Sequence, residues 1–193
     1  MSVVIVNYNA GNVQSVTYAL NRLGVQPVLS DDPDTIKSAE KVIFPGVGEA
    51  STAMNFLKIK RLDAVIRELK QPVFGVCLGL QLLCKHSEEN DTECLGIFDI
   101  EVKKFEPKLK VPQMGWNTLN ETKGALFEDL GDEPYVYFVH SYYAELNEYT
   151  VAVTDYVNPF SAALQKDNFY ALQAHPEKSG KVGEKILENF LRL

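Results

Sequence analysis

The sequence predicts an α/β protein built on a doubly wound, mostly parallel sheet that carries an antiparallel extension. Two observations lead to that class. Short β-branched runs alternate with helical periods four times in about 85 residues, the pattern of βα units joined by right-handed crossovers. Beyond them the chain changes to closely spaced strand-like runs divided by turn signals. The composition suits this reading. The 193 residues are 46% hydrophobic and 23% charged, enough to bury a core without disulfide or metal staples. That length fits a single domain over residues 1–193, with no low-complexity linker and no repeat of solenoid period.

The elements follow in order. Val3–Tyr8 reads as a buried strand. Gly11-Asn12 opens a helix with Val13, Val16, Leu20 and Leu23 on one stripe and Gly24 at its end. Val25–Leu29 is a second strand. Asp32 caps a short helix through Ile36, with Pro33 at its first position. Lys41–Phe44 is a third strand, stopped by Pro45-Gly46-Val47-Gly48, and one helical stretch then runs to about Leu69. Pro72–Val76 is the fourth strand and Leu78–His86 a helix. Strand-like runs follow at Ile97–Phe105, Tyr135–Tyr143, Thr150–Tyr156, Ser161–Lys166 and Phe169–Ala174. Val182, Ile186, Leu187, Phe190 and Leu191 then make a C-terminal amphipathic helix.

Several function classes drop out. Nineteen Lys and Arg against 26 Asp and Glu leave a net charge of −7, which disfavours a nucleic-acid binder. The start of the chain has no basic leader, and its apolar run is too short to span a membrane. Three cysteines, Cys77, Cys84 and Cys94, make no disulfide framework, and no metal-ligand spacing occurs. A reducing, cytoplasmic setting is expected. No glycine-rich phosphate cradle is present, so no cofactor is expected.

The sharpest local feature is Gly75-Val76-Cys77-Leu78-Gly79-Leu80-Gln81. A nucleophile between a buried strand and a helix, with glycines two residues to either side, has the form of a nucleophile elbow. The helix N-terminus supplies unpaired N–H groups and positive partial charge, which favour a thiolate and an oxyanion. An unselected cysteine is more often a small buried hydrophobe, and that reading suits Cys84, beside Leu80 and Leu83. Cys94 has no assignable role.

A thiol nucleophile needs a base, and there are three histidines. His175 follows a strand, Pro176 holds it extended, and Glu177 at i+2 can share its face and orient the ring. His86 reads as a solvated helix residue. His140 admits two readings, a satisfied core histidine, or a residue that supports the site from behind or faces a partner. The Pro45–Gly48 turn, also past a strand end, can aim N–H groups at a negative oxygen.

With these residues the sequence resembles the class I (triad) glutamine amidotransferases over essentially its whole length. The resemblance rests on Gly75–Gln81 and His175-Pro176-Glu177. Within that class, Pro45–Gly48, Met114-Gly115-Trp116-Asn117, Phe138–Tyr142 and His175–Ser179 are most similar to the glutaminase subunits of imidazole glycerol phosphate synthases. Three positions depart from that pattern: the Asn7–Asn12 loop, Gln113 where histidine is frequent, and Ala174 where phenylalanine is common.

The resemblance implies a flavodoxin-like fold and hydrolysis of L-glutamine by Cys77, His175 and Glu177. The oxyanion would be held by Leu78 and the Val47–Gly48 segment, and the substrate by Gln81, Ser141 and Tyr142. It further implies a (β/α)8-barrel cyclase partner that receives ammonia for histidine biosynthesis. Met114, Trp116, Asn117, Tyr137 and Lys178 would be its interface or gate residues. Weak activity alone, raised by the loaded partner, is expected, with the Pro45–Gly48 turn as the switch. Alternatives are a same-subclass amidotransferase feeding another pathway such as surface-sugar amination, a Cys-His-Glu hydrolase or protease, and a non-catalytic scaffold.

Overall fold

The structure is a computed structural model that describes residues 1–8 and 12–193; Gly11, expected to open the first helix, lies outside the described residues. Strands β1 (Val3–Val6), β2 (Val28–Ser30), β3 (Lys41–Gly46), β4 (Val73–Cys77) and β13 (Phe169–Leu172) form the parallel half of the main sheet. Their order is β2-β1-β3-β4-β13. The sheet continues antiparallel through β12 (Pro159–Lys166), β10 (Tyr142–Ala144) and β7 (Glu101–Lys104), and ends in the two-residue strands β5 (His86–Ser87) and β6 (Thr92–Glu93). Strand β11 (Thr150–Asp155) pairs with β12. A separate two-stranded ribbon joins β8 (Gln113–Thr118) to β9 (Tyr135–His140).

The buried strand runs explain why the sheet is covered on both faces. Val4 and Val6 of β1 point into one apolar cluster and Val3 and Ile5 into the other, as a period of two requires. The first cluster receives helices α2 (Pro33–Ser38), α3 (Ala50–Ile59), α4 (Leu62–Glu68) and α5 (Leu78–Leu83) through Ile36, Met54, Ile66 and Leu80. The second receives α1 (Val13–Arg22) and α6 (Gly180–Arg192) through Val16, Leu20, Ile186 and Phe190. The doubly wound architecture and its antiparallel extension are therefore as the sequence predicts.

Several boundaries differ. The expected long third helix is two helices, because Arg61 takes a left-handed conformation (φ 56°). Strand β3 does not stop at Phe44 but runs through Pro45 and Gly46. β1 pairs with it only as far as Ile43, so the missing proline N–H disrupts no ladder there. The predicted helix Leu78–His86 ends at Leu83. Its last carbonyls accept from the returning chain instead: Leu95 N–H donates to Leu82 O, and Ile97 and Phe98 N–H to Leu83 O. His86 is thereby a strand residue, not a helix residue. Tyr135–Tyr143 is divided at Ser141 into β9 and β10, and Ile97–Phe105 shortens to β7. Strand β8 is unexpected, because its apolar Met114 and Trp116 face solvent while Gln113 is buried, the reverse of a core-facing alternation.

Candidate active site

Cys77 ends β4 and precedes the first turn of α5, with φ 54° and ψ −107°. A non-glycine residue there is strained by about 1–3 kcal/mol and persists only where its surroundings impose it. The surroundings do. A Cβ on Gly79 would overlap the Phe44 carbonyl oxygen of the neighbouring strand, so only glycine lets α5 sit against β3. One on Gly75 would lie 2.7 Å from Leu83 Cδ1 and 3.0 Å from the Gly79 backbone. The glycine spacing of the sequence is thus a steric requirement of the turn that lifts the sulfur to the carboxyl edge of the sheet.

His175 follows β13, the parallel neighbour of β4, so the two strand ends bring the imidazole beside Cys77. Its backbone N–H donates to Tyr137 O at 2.9 Å, and its carbonyl accepts from Ser179 Oγ at 2.6 Å. The imidazole Nδ1 meets Glu177 Oε1 at 2.8 Å, with both side chains out of solvent. The pair was expected from an extended i, i+2 arrangement. His175 itself is extended, but Pro176–Lys178 is a 3-10 turn, and this turn swings Glu177 back under the ring. Asn12 Nδ2 donates to the same carboxylate oxygen. Burial works against a charged His175, yet the adjoining Cys77 sulfur and then Glu177 outweigh it and raise its pKa to about 10. Among the described residues Nε2 has no hydrogen-bond partner of good geometry, and it adjoins the Cys77 sulfur. An imidazole tied at Nδ1 and free at Nε2 can take a proton from a thiol and return it to a leaving group.

A cavity of about 240 Å³ opens over the sulfur, lined by Val47, Gly48, Cys77, Leu78, Gln81 and Glu89, and closed by the His140–Tyr142 segment. The structure gathers Val47, Gly48, Leu78, Gln81, Ser141 and Tyr142 around one space. Gly48 has φ 128°, a conformation open to glycine alone. Before it, the Tyr8 hydroxyl donates to Pro45 O and tethers the start of the turn. Gln81 Nε2 donates to Tyr142 O and to Gln173 Oε1, both at 3.1 Å. The Tyr142 phenol is held protonated to higher pH, first by partial burial and then by Glu89, Glu88 and Glu49.

Glu89 escaped notice in the sequence because it lies in the acidic run Glu88-Glu89, which reads as a solvated loop. It accepts from Ala50 N–H at 2.7 Å, and partial burial raises its pKa. Asn12 and Gln173, both in contact with the Cys-His-Glu set, also carried no signal beyond their neighbourhood to motifs. His140 resolves to the core reading. It is buried among Phe105, Phe138 and Phe160, with Nδ1 2.7 Å from Tyr142 O and Nε2 2.9 Å from the Gln113 amide. Burial lowers its pKa to about 4.

The remaining residues sort by exposure. Cys84 is buried, with its Sγ 3.4 Å from Leu80 O, and burial pushes the thiol up. Cys94 is also buried, and burial pushes its thiol to about 12. His86 bridges Glu101 at 2.9 Å and Asp91 at 2.8 Å, and the Asp91 hydrogen bond raises its pKa. On the β8–β9 ribbon, Met114 is 61% and Trp116 47% exposed. Trp116 stacks on Tyr135 and meets Tyr137 edge-on, both at 5.9 Å between centroids. Lys178 is exposed, one residue beyond Glu177. Asn117 differs from the others, since its Nδ2 donates to Asp155 O at 2.8 Å inside the chain.

A strand-end thiol over a helix N-terminus, beside a buried His-Glu couple just past the next parallel strand, matches the arrangement of a triad amidotransferase. The chain belongs to the class-I glutamine amidotransferase family, whose model matches residues 4–193. It is 59% identical, over the full length of both chains, to the imidazole glycerol phosphate synthase subunit HisH of Bacteroides thetaiotaomicron. Identity to the same subunit of Idiomarina loihiensis is 44%, covering 100% of this chain and 98% of that one. The fold is shared with a solved glutamine amidotransferase structure (TM-score 0.78, 20% identity, covering 99% and 98% of the two chains). It is also shared with a chain of PurLQS from Thermotoga maritima (TM-score 0.72, 18% identity, covering 99% and 97%).

Proposed function

We propose that residues 1–193 form one cytoplasmic amidotransferase domain that hydrolyses L-glutamine and passes ammonia to a (β/α)8-barrel cyclase partner. It would be the glutaminase subunit of an imidazole glycerol phosphate synthase heterodimer, serving histidine biosynthesis. Full-length identity to HisH subunits supports the assignment. The single observation that carries the chemistry is the buried His175, tied to Glu177 at Nδ1 and unpartnered at Nε2 beside Cys77.

In this reading the Cys77 proton passes to His175 Nε2, whose raised pKa holds it there, and the sulfur then attacks the side-chain amide carbon of glutamine. The carbonyl oxygen becomes an oxyanion, met by Leu78 N–H at the α5 N-terminus and by an N–H of the Val47–Gly48 turn. Collapse breaks the C–N bond, and the imidazolium proton leaves on ammonia. The γ-glutamyl thioester is then hydrolysed by water that gives its proton to His175. Gln81, Ser141 and Tyr142 hold the amino-acid end, and the Glu89 carboxylate beside them suits the α-ammonium group.

Ammonia needs a covered exit, and the exposed Met114, Trp116 and Lys178 offer the docking face, with the half-buried Tyr137 at the gate. Asn117 would contribute there mainly by bracing the ribbon on Asp155. A glutaminase assay on the chain alone, with cyclase, and with cyclase plus its ligand tests the proposal. Turnover should be weak alone and rise strongly with loaded cyclase. Full activity without partner removes the switch, and no glutamine turnover in any state removes the reading.

A further inference from the structure

Gln173 is an unusual residue to find where it is. It is fully buried one step beyond β13, where an apolar side chain would fill the space, and its backbone N–H is already used on Ala162 O at 2.8 Å. Its side chain is satisfied by two other side chains. Oε1 accepts from Gln81 Nε2 at 3.1 Å, and Nε2 lies 3.6 Å from Cys77 Sγ. We propose that Gln173 is a further catalytic residue: its amide N–H meets the sulfur of the nucleophile, and its orientation is set by Gln81 at the cavity wall. This rests on the assignment of Cys77 as nucleophile.

The orientation follows from donor and acceptor chemistry. A backbone carbonyl can only accept, so Tyr142 O requires Gln81 to present its NH2 group. The same NH2 group reaches Gln173, which must answer with its oxygen and so turns its own NH2 toward the sulfur. The chain Tyr142 O, Gln81, Gln173, Cys77 therefore has one direction throughout. Among the described residues no protein group hydrogen-bonds Gln81 Oε1, and Gln81 lines a cavity sized for an amino acid.

The sulfur has two neighbours with opposite demands. Val139 O, at 3.8 Å, accepts from the thiol. The Gln173 N–H instead favours the sulfur when it carries negative charge. In acylation the S–H proton goes to His175 Nε2, the S–C bond forms, and Val139 O loses its donor while Gln173 keeps its acceptor. In deacylation the C–S bond breaks and its electron pair returns to the sulfur, again against the Gln173 N–H. Gln173 thus assists both sulfur-charging steps without moving a proton.

The test is the pH profile of Cys77 alkylation by iodoacetamide on the full chain, located by peptide mass, with glutaminase kcat and KM measured on the loaded complex. Gln173→Met removes the donor at similar volume. It should move the alkylation profile up by about 1 pH unit. It should also lower kcat by roughly 10- to 100-fold with KM changed less than about 3-fold, the loss of one hydrogen bond to a charged group. Gln173→Asn keeps the amide but withdraws it by one methylene, and should behave like Gln173→Met. This second variant serves if the first does not fold by circular dichroism. Gln81→Met should raise KM and, by freeing the Gln173 amide to turn, also move the alkylation profile up, by less than Gln173→Met does. A lower melting temperature with an unmoved alkylation profile and unchanged kcat in a folded Gln173 variant overturns the proposal, leaving Gln173 a packing residue. A wild-type chain whose loaded complex never hydrolyses glutamine overturns the function itself, whatever the alkylation profile shows.

Discussion

Two turns at the carboxyl edge of the sheet flank the active site, and they are built to opposite standards. The turn after β4 is crowded: Gly79 lies against the Phe44 carbonyl, Gly75 against Leu83, and Cys77 is held in a strained conformation between them. The turn after β3 is pinned at its two ends, where Tyr8 holds Pro45 O and packs over Gly46 and where Glu89 accepts from Ala50 N–H. By Gly48 the chain has left these contacts, and a Cβ there would meet no atom within 4 Å. The nucleophile is thus fixed by sterics, whereas the segment proposed to supply an oxyanion N–H has space in which to reorient. A partner that adjusts the second turn can change the rate without disturbing the first.

The largest test of that contrast is Gly79→Ala. It drives a methyl into a backbone oxygen, so a loss above about 3 kcal/mol in urea unfolding is expected, with abolished turnover. Gly48→Ala meets open space but forces φ 128° on an L-residue. It should cost about 1–2 kcal/mol of stability while lowering kcat by roughly 100-fold, as for loss of one oxyanion donor. Tyr8→Phe releases Pro45 O and should cost about 1–2 kcal/mol. It should also change glutaminase kcat while leaving the rate of Cys77 alkylation as in the wild type. If alkylation changes as much as turnover, the two turns are not independent.

Smaller effects come from the two buried histidines. His140 titrates near pH 4 in the fold against 6.5 when exposed. The unfolded chain therefore binds the extra proton first, and stability should fall as pH drops from about 6.5 toward 4. His140→Gln should flatten that part of a denaturation-against-pH curve. His175 is shifted the other way, to about 10. Its contribution is complete below pH 6.5 and is lost as pH rises through about 10. Cys77→Ala removes the largest influence raising it, so His175 in that variant should titrate at lower pH by nuclear magnetic resonance.

The same division between regions governs what can be read from sequence. In the parallel half, each element buries a continuous apolar run or stripe, so β1, α1, β3, β4 and α6 are visible as periodicity. In the antiparallel half, pairing partners rather than composition decide the strands. His86-Ser87 is a strand only because β7 and β6 lie on either side of it, and Gln113–Thr118 only because β9 lies beside it. The site follows the same rule. Cys77, His175 and Glu177 announce themselves through glycine spacing and the His-Pro-Glu run, which are local. Glu89, Asn12 and Gln173 act through partners 39, 165 and 96 residues away along the chain, and no local pattern marks them.

The central claim is that Cys77, alone among three cysteines, is the nucleophile. Cys84 and Cys94 are both buried thiols whose burial opposes ionisation, whereas Cys77 opens on the cavity. Incubation of the full chain with a glutamine-analogue electrophile, followed by peptide mass mapping, measures this directly. A single adduct on the peptide containing Cys77, suppressed by excess L-glutamine and absent in Cys77→Ser, is the expected result. An adduct on Cys84 or Cys94, or labelling of Cys77 that glutamine does not suppress, would contradict the account.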